Sequence, residues 1–231
     1  KLSDREAKAA AYRQVMLEGI SQAIIRAHAA LRPAAVGAAA RPLTHEVFNR
    51  RWYLKPGKMP LNPYGEYDQV KMNPGTSPDV LDRPAGPTDP DITIISVQDA
   101  KRKPLALFAN YSLHYVGGVP TGHISADYFA VVADRLQQLL GADRQDQPFV
   151  GLLANGPCAD VNNNNVAQPD RRKYAPYEKM RLVADDVARE IARVRAGLRH
   201  QDWVELRAAH AELVLRTRRP DGDAVEKARR V

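Results

Sequence analysis

The sequence predicts an α/β fold, in which a mixed β-sheet is flanked by helices. The first observation is a pair of apolar, β-branched segments, 92–97 and 105–113, which are separated by the turn-forming run 101–104 and predict a hairpin. The second is an amphipathic helix pattern at 127–140, followed by an apolar strand pattern at 149–154. Strand and helix patterns that alternate in this way are typical of α/β domains.

The N-terminal segment 4–31 is predicted to be a helix. Its apolar residues recur at spacings of three and four and form one stripe: Tyr12, Val15, Met16, Gly19, Ile20, Ala23, Ile24, Ala27 and Leu31. Ser3 and Glu6 have the spacing of a capping box, which marks the start of the helix. Arg32-Pro33 marks its end, because the residue before a proline disfavours helical geometry.

Residues 49–91 differ from the rest of the chain because prolines recur throughout them. This density of proline argues against a helix or a central strand. Trp52, Tyr53, Tyr64 and Tyr67 lie in the same range. A proline-rich segment with several aromatic residues is better explained as a long loop packed on the body of the protein than as a free linker.

The remaining elements are a short strand near 34–38, a long helix at 175–198, two strands at 203–208 and 211–216, and the opening of a helix at 220–231. The long helix carries its apolar residues on one face: Met180, Val183, Val187, Ile191, Val194 and Leu198. We therefore expect residues 1–231 to form a single α/β domain with one large core.

Composition limits the class of protein. The 231 residues are 44 % hydrophobic and 26 % charged, as in ordinary globular domains, and no transmembrane segment is expected. The single cysteine, Cys158, excludes a disulfide framework and a Cys-rich zinc module. The net charge of +7 is assigned to solvated surface runs at 171–173, 216–220 and 227–230. No nucleic-acid partner is expected, because aromatic residues do not interleave with these basic runs.

Three polar segments follow predicted strands or precede a predicted helix. They are 110-NYSLHYVGG-118, 122-GHISADY-128 and 155-NGPCADVNNNNV-166. Ligand sites of open α/β sheets form at the carboxyl ends of strands, and His114 closes such a strand before two glycines. His114 is thus a candidate metal ligand or acid–base group, with a structural role as the alternative. Ser125 or Asp127 can cap the next helix, or a carboxylate there can orient a histidine ligand.

Local motifs leave the third polar segment open. Asp160 and the run Asn162 to Asn165 form either a binding loop or a turn in which Asx side chains bond their own backbone. Metalloprotease, P-loop, nucleophile-elbow and dinucleotide motifs are absent. His45-Glu46 and the pair His210 and Glu212 lack ligand spacing, so no motif assembles three zinc ligands.

Five segments together resemble the neutral/alkaline non-lysosomal ceramidase family, and in particular its ceramidase-like bacterial members. In order they are 18-EGISQAIIRAHAALRPAAVG-37, 48-FNRR-51, 110-NYSLHYVGG-118, 123-HISADYF-129 and 150-VGLLANGPCADVNNNN-165. The resemblance implies part of a catalytic domain that hydrolyses the N-acyl bond of a lipid-like amide with a zinc-activated water. It also implies an exported protein, secreted or periplasmic.

The resemblance also implies roles for single residues. A zinc-binding histidine of the family falls on His114. Its substrate-side arginine falls on Arg50, either to stabilise charge or to brace the backbone. The other ligands, a histidine, a glutamate and a tyrosine, are expected before Lys1 and after Val231. Because the chain begins without Met and 220–231 open a helix, we expect the middle part of a catalytic domain with an incomplete zinc set and little activity of its own.

The chain departs from the family at a Gly-Asp-Val-Ser-Pro-Asn motif, which falls on 159–164. Asn162 replaces the serine, so the serine hydroxyl cannot act here. A zinc-activated water does not strictly need that hydroxyl, and the Asn162 amide can donate to a developing oxyanion. We expect Asn162 and Arg50 on the substrate side, with Asp127 and Asp160 as orienting or structural residues. The alternative is a non-catalytic scaffold that binds a lipid or a glycan.

Overall fold

A computed structural model describes residues 3–142, 149–217 and 219–230. The chain divides into two compact units, Lys1–Ala34 and Ala35–Val231. The first unit contains helix α1 (Asp4–Ala29), which ends two residues earlier than predicted. The predicted capping box is confirmed, because the Ser3 hydroxyl accepts from the Glu6 N–H and the Glu6 carboxylate accepts from the Ser3 N–H. All described residues of α1 are exposed, including its apolar stripe.

The second unit is built mainly from strands. In chain order these are β1 (Ala35–Pro42), β2 (Phe48–Asn49), β3 (Arg51–Leu54), β4 (Lys71–Met72), β5 (Leu81–Pro84), β6 (Asp91–Gln98), β7 (Pro104–Tyr111), β8 (Val150–Asn155) and β9 (Val161–Asn162). Its helices are α2 (Asp127–Leu139), α3 (Glu178–Ala196) and α4 (Gly222–Arg229), with a 3₁₀ turn at Thr44–Glu46.

A four-stranded mixed sheet with the order β1-β6-β7-β8 forms the centre of this unit. β1, β6 and β7 pair antiparallel, so the predicted hairpin is confirmed, with Ile95 opposite Phe108. β7 and β8 pair parallel, and the crossover between them contains α2. The predicted fold class, a mixed sheet flanked by helices, is therefore confirmed.

The core lies on one face of this sheet, where α2 contacts β8 and α3 contacts β1 and β6. Its largest fully buried side chains come from the sheet, the following loop and both helices: Tyr111, Tyr128, Ile92, Ile94, Leu107, Leu113, Leu136, Met180 and Ile191. Side chains of a strand alternate between faces. The opposite face accordingly presents Ile95, Phe108 and Leu152, which are 44 %, 42 % and 55 % exposed.

The proline-rich range 49–91 contains short strands, which form a three-stranded sheet in the order β4-β3-β5. Trp52 is buried against Leu81 and Val166, and its indole N–H donates to the Asn49 carbonyl. Tyr64 and Tyr67 are exposed. The beginning and end of the range therefore pack on the body through Trp52, while its central turns lie at the surface.

The structure overturns the strands predicted at 203–208 and 211–216. The described residues of 203–217 form no regular secondary structure and are exposed. Alternating polarity stabilises a strand only where a neighbouring strand takes up its hydrogen bonds and a core covers its apolar side. β1 runs beyond the predicted 34–38, since all eight of its residues pair with β6.

The predicted C-terminal helix is confirmed as α4, whose N-cap is Asp221. The basic runs 171–173 and 227–230 are exposed, as are the described residues of 216–220; Arg218 and Val231 lie outside the described residues. In the parts of the chain that the structure describes, no helix combines the length and apolar character that a membrane span needs.

Candidate functional site

A cavity of about 710 Å³ opens beside α3 in the second unit. Side-chain amides make up much of its wall: Asn73, Asn162, Asn163, Asn164, Asn165 and Gln168. Its titratable lining residues are His45, Glu46, Asp170, Tyr174, Lys179 and Asp186. A concave space with convergent polar groups is the expected form of a ligand site.

Two elements place the titratable groups on this cavity. His45 and Glu46 belong to the 3₁₀ turn that precedes β2. Lys179, Val183 and Asp186 lie on α3 at spacings of four and three, which puts them on one side of the helix. Val183 is buried, so the helix is seated by an apolar contact while the two charged residues line the cavity.

His45, Glu46 and Asp186 form a close cluster. One ligand atom from each side chain lies within 4.8 Å of the others, and His45 Nε2 lies 3.5 Å from Asp186 Oδ2. Glu46 is only 9 % exposed, whereas His45 and Asp186 are open to solvent. The sequence prediction did not connect these residues, because Asp186 lies far along the chain from the His45-Glu46 pair, and only the docking of α3 brings it near.

Burial, together with the negative charge and the hydrogen bond of neighbouring Asp186, raises the pKa of the Glu46 carboxyl to about 7. The positive charge of Lys179 lowers the Glu46 pKa, but this effect is smaller than those of burial and Asp186. The pKa of Lys179 is itself lowered, chiefly because burial disfavours the charged ammonium. Glu46 therefore keeps its proton to a higher pH than an exposed carboxyl does.

The asparagine run after β9 forms part of the cavity wall. Asn162 Oδ1 accepts from the Asn164 N–H at 3.0 Å, which closes an Asx turn. Lys179 Nζ donates to Asn164 Oδ1 at 2.7 Å and to the Asn163 carbonyl at 3.4 Å. Asn163 is 7 % exposed, and its buried Nδ2 has no acceptor among the described residues. Asn162 therefore accepts within the turn through its side-chain oxygen, and the residue also lines the cavity.

Arg50 braces the backbone of the loop after β8. Its Nε and Nη2 donate to the Ala159 carbonyl at 3.1 and 2.5 Å. The Arg50 backbone N–H donates to the Asp160 carbonyl at 2.7 Å, and Asn49 Nδ2 donates to Asp160 Oδ2 at 3.3 Å. Of the two roles expected for Arg50, these contacts are those of a bracing arginine.

His114 lies in the loop that follows β7. Its ring is half-buried and packs edge-on against Tyr115, with 5.2 Å between the centroids. In the described ranges, no hydrogen bond or ion pair engages the imidazole. The loop is held by buried Asp127, whose carboxylate accepts from the Val116 and Gly117 N–H groups, both at 2.9 Å.

The structure places one of the predicted site residues on the wall of this cavity. Asn162 lines the cavity together with the unpredicted His45, Glu46 and Asp186 cluster. The residues His114, Arg50, Asp127 and Asp160 are not among the lining residues of that cavity. The start of α2 also differs from the expected cap by Ser125 or Asp127. The N-cap residue is Ala126, while the Ser125 hydroxyl accepts from the Asp127 N–H.

Among solved structures, two ceramidases are similar to the chain at low sequence identity. The crystal structure of neutral ceramidase from Pseudomonas aeruginosa has a TM-score of 0.48 and 17 % sequence identity over 77 % of this chain and 25 % of that chain. A ceramidase complexed with C2 has the same values. The chain thus spans about a quarter of the length of these ceramidases. No family model matches the sequence, and no curated protein matches it.

Proposed function

We propose that the protein is a zinc-dependent amidohydrolase that cleaves an N-acyl bond of a lipid-like substrate. The observation that carries this proposal is His114, an imidazole without a hydrogen-bonding partner in the described part of the chain, on a loop held rigidly by Asp127. A free imidazole nitrogen is the commonest metal ligand in proteins. A rigid support is what a metal ligand needs in order to keep its geometry.

The loop around His114 suits a site at which a ligand approaches the backbone. Gly117 and Gly118 have φ angles of 82° and 73°, a region in which a side chain is strained. The Asp127 carboxylate accepts from the Val116 and Gly117 N–H groups, so it acts as a positioning residue for the loop. His114 fits zinc as one ligand, and the further ligands would come from residues outside the described ranges. Bound zinc would supply an activated water and polarise the carbonyl.

Arg50 and Asn162 take different parts in this proposal. Two guanidinium nitrogens of Arg50 are engaged by the Ala159 carbonyl, so Arg50 positions the loop that leads to Asn162. The side-chain amide of Asn162 accepts within the turn through its oxygen, and the residue lines the cavity. In the proposed reaction, this amide donates a hydrogen bond to the carbonyl oxygen of the substrate as negative charge develops there.

The test uses the protein as its gene encodes it, with N-acyl amides of different chain lengths as substrates. His114→Ala is compared with His210→Ala, which removes an exposed imidazole. We expect His114→Ala to lower kcat/KM by about 100-fold or more and to reduce the bound zinc, since a lost metal ligand removes the Lewis acid. Unchanged zinc content and turnover in His114→Ala would contradict the assignment.

A non-catalytic scaffold that holds a glycan or a lipid headgroup is the second candidate. The amide-rich wall of the cavity favours it, because carboxamides donate to and accept from hydroxyl groups. The same substrate screen separates the two functions. Turnover that a chelator abolishes rejects the scaffold, whereas saturable binding without turnover of any N-acyl amide supports it.

A further inference from the structure

We infer that His45, Glu46 and Asp186 form a binding site for a divalent first-row transition metal on the wall of the 710 Å³ cavity. The site is independent of His114, and the ion would face the amide-lined space. Its basis is the convergence of one imidazole and two carboxylates from separate elements, the 3₁₀ turn and α3.

The spacing of the three ligand atoms suits a metal of this size. They lie within 4.8 Å of one another, and His45 Nε2 is 3.5 Å from Asp186 Oδ2. Ligand atoms at roughly 2.0–2.2 Å from a tetrahedral zinc ion lie about 3.5 Å apart. Since His45 and Asp186 are exposed, their side chains have space to rotate toward a bound ion.

The donor set selects the class of ion. Magnesium and calcium prefer sites made of oxygen atoms alone, whereas an imidazole nitrogen favours zinc and its first-row neighbours. Three protein ligands leave a coordination position open, as in catalytic and substrate-binding zinc sites. Because the cluster lines the cavity, that open position would be accessible to a bound ligand.

Neither carboxylate forms the close ion pairs that neighbouring Asp185 forms, although the charges of Lys179 and Arg189 act on Glu46 and Asp186 from a greater distance. Asp185, the preceding residue of α3, forms ion pairs of 2.6 Å with both Arg135 and Arg189. In contrast, neither Glu46 nor Asp186 pairs with a lysine or arginine in the described part of the chain. Lys179 lines the same cavity, but its ammonium donates to Asn164 and to the Asn163 carbonyl instead. The carboxylate pair therefore has room for a bound cation.

A second observation on the same cavity concerns the side chain of Asn163. Asn163 lines the cavity, is 7 % exposed, and has a buried Nδ2 without an acceptor in the described ranges. Buried donors are nearly always satisfied by protein, water or ligand. A water or a ligand held next to Asn163 would supply the acceptor that this amide needs.

The test measures binding of Zn²⁺ and Co²⁺ to the whole protein, without any substrate. Zn²⁺ affinity is obtained by competition with a chromophoric chelator, and Co²⁺ reports its coordination through visible absorption. The variants are His45→Ala and Asp186→Asn. The controls are His210→Ala and Asp134→Asn, which alter exposed residues outside the cluster. Because His45 and Asp186 are themselves exposed, both variants should fold, which circular dichroism and thermal unfolding verify.

We expect each cluster variant to raise the Kd for Zn²⁺ at least about tenfold, while both controls keep the wild-type value. Zinc at 100 times its Kd should raise the Tm of the wild type by about 5 °C, and this increase should shrink in the cluster variants. Wild-type protein with no Co²⁺ absorption and no Zn²⁺-dependent Tm, or equal affinity in every variant, would overturn the inference.

His114→Ala separates this inference from the proposed function. It should leave the binding that depends on His45 and Asp186 intact, because His114 lies outside the cluster. Loss of zinc binding in His114→Ala, with full binding in His45→Ala and Asp186→Asn, would reject the cluster site while supporting the hydrolase. The opposite pattern would support the cluster and reject His114 as a ligand.

Discussion

The Asp127 carboxylate accepts a hydrogen bond from the backbone N–H of Gly117 at 2.9 Å. Its second oxygen accepts from Val116 and from Tyr128, the next residue of α2. Asp127 itself has a φ of 53°, in the left-handed region. The start of α2 is thereby joined to the loop that follows β7, and His114 lies on that loop.

Asp127→Asn should loosen this loop. The asparagine side chain tolerates the left-handed backbone. It keeps one oxygen but carries an NH₂ group in place of the other, so it can no longer accept from both the Val116 and the Gly117 N–H groups. We expect a loss of about 1–3 kcal/mol in the free energy of unfolding and faster hydrogen exchange at both amides. Asp134→Asn, an exposed change on the same helix, is the control. Unaltered exchange at Val116 and Gly117 would contradict the bracing role.

Gly156→Ala should destabilise the junction of β7 and β8. An added Cβ would lie 2.5 Å from Ser112 Oγ and 2.9 Å from Asn110 Oδ1. Ser112 is fully buried and Asn110 is bonded to the Asn155 carbonyl, so neither can move away easily. Urea unfolding should show a loss of about 1–3 kcal/mol. Gly222→Ala, where a Cβ meets nothing within 4 Å, should show no comparable loss.

Arg50→Lys should weaken the loop after β8 although it keeps the charge. Only the guanidinium can donate from two nitrogens to the Ala159 carbonyl. We expect a decrease of about 0.5–1.5 kcal/mol in the free energy of unfolding. Arg51→Lys, at an exposed neighbouring position, serves as the control. Equal stability of both variants would show that the bracing contacts contribute little.

Glu46 should make the metal-free protein less stable as the pH rises. Its pKa is about 7 in the folded protein against 4.5 for the free side chain, since burial and Asp186 favour the protonated form. Lys179 and His45 also face it, and Lys179 lowers its pKa. Its contribution to stability is therefore complete below about pH 4.5 and is lost as the pH rises through 7.

Urea unfolding in a chelator at about pH 5 to 8 measures this effect. Glu46→Gln should remove from the pH profile a slope worth on the order of 1–2 kcal/mol, once solvent screening is allowed for. Glu212→Gln changes an exposed carboxyl and should keep the wild-type slope. A Glu46→Gln profile parallel to that of the wild type would show that Glu46 titrates normally.

Local signals along the chain are enough to specify several of the elements. The capping box of Ser3 and Glu6, the hairpin of β6 and β7, and the apolar face of α3 all follow from neighbours close along the chain. Such signals act before tertiary contacts form, because they depend on backbone preferences and on the period of the apolar residues.

Tertiary structure alone decided which strand patterns become strands and which polar residues meet. Residues 203–208 alternate as a strand does, yet without a neighbouring edge they remain irregular. Glu46 and Asp186 meet only because α3 docks beside the turn before β2, and this docking depends on the packing of residues such as Val183. Burial then changes the chemistry of Glu46, since the pKa of a carboxyl depends on its surroundings in the folded protein and not on its neighbours in sequence.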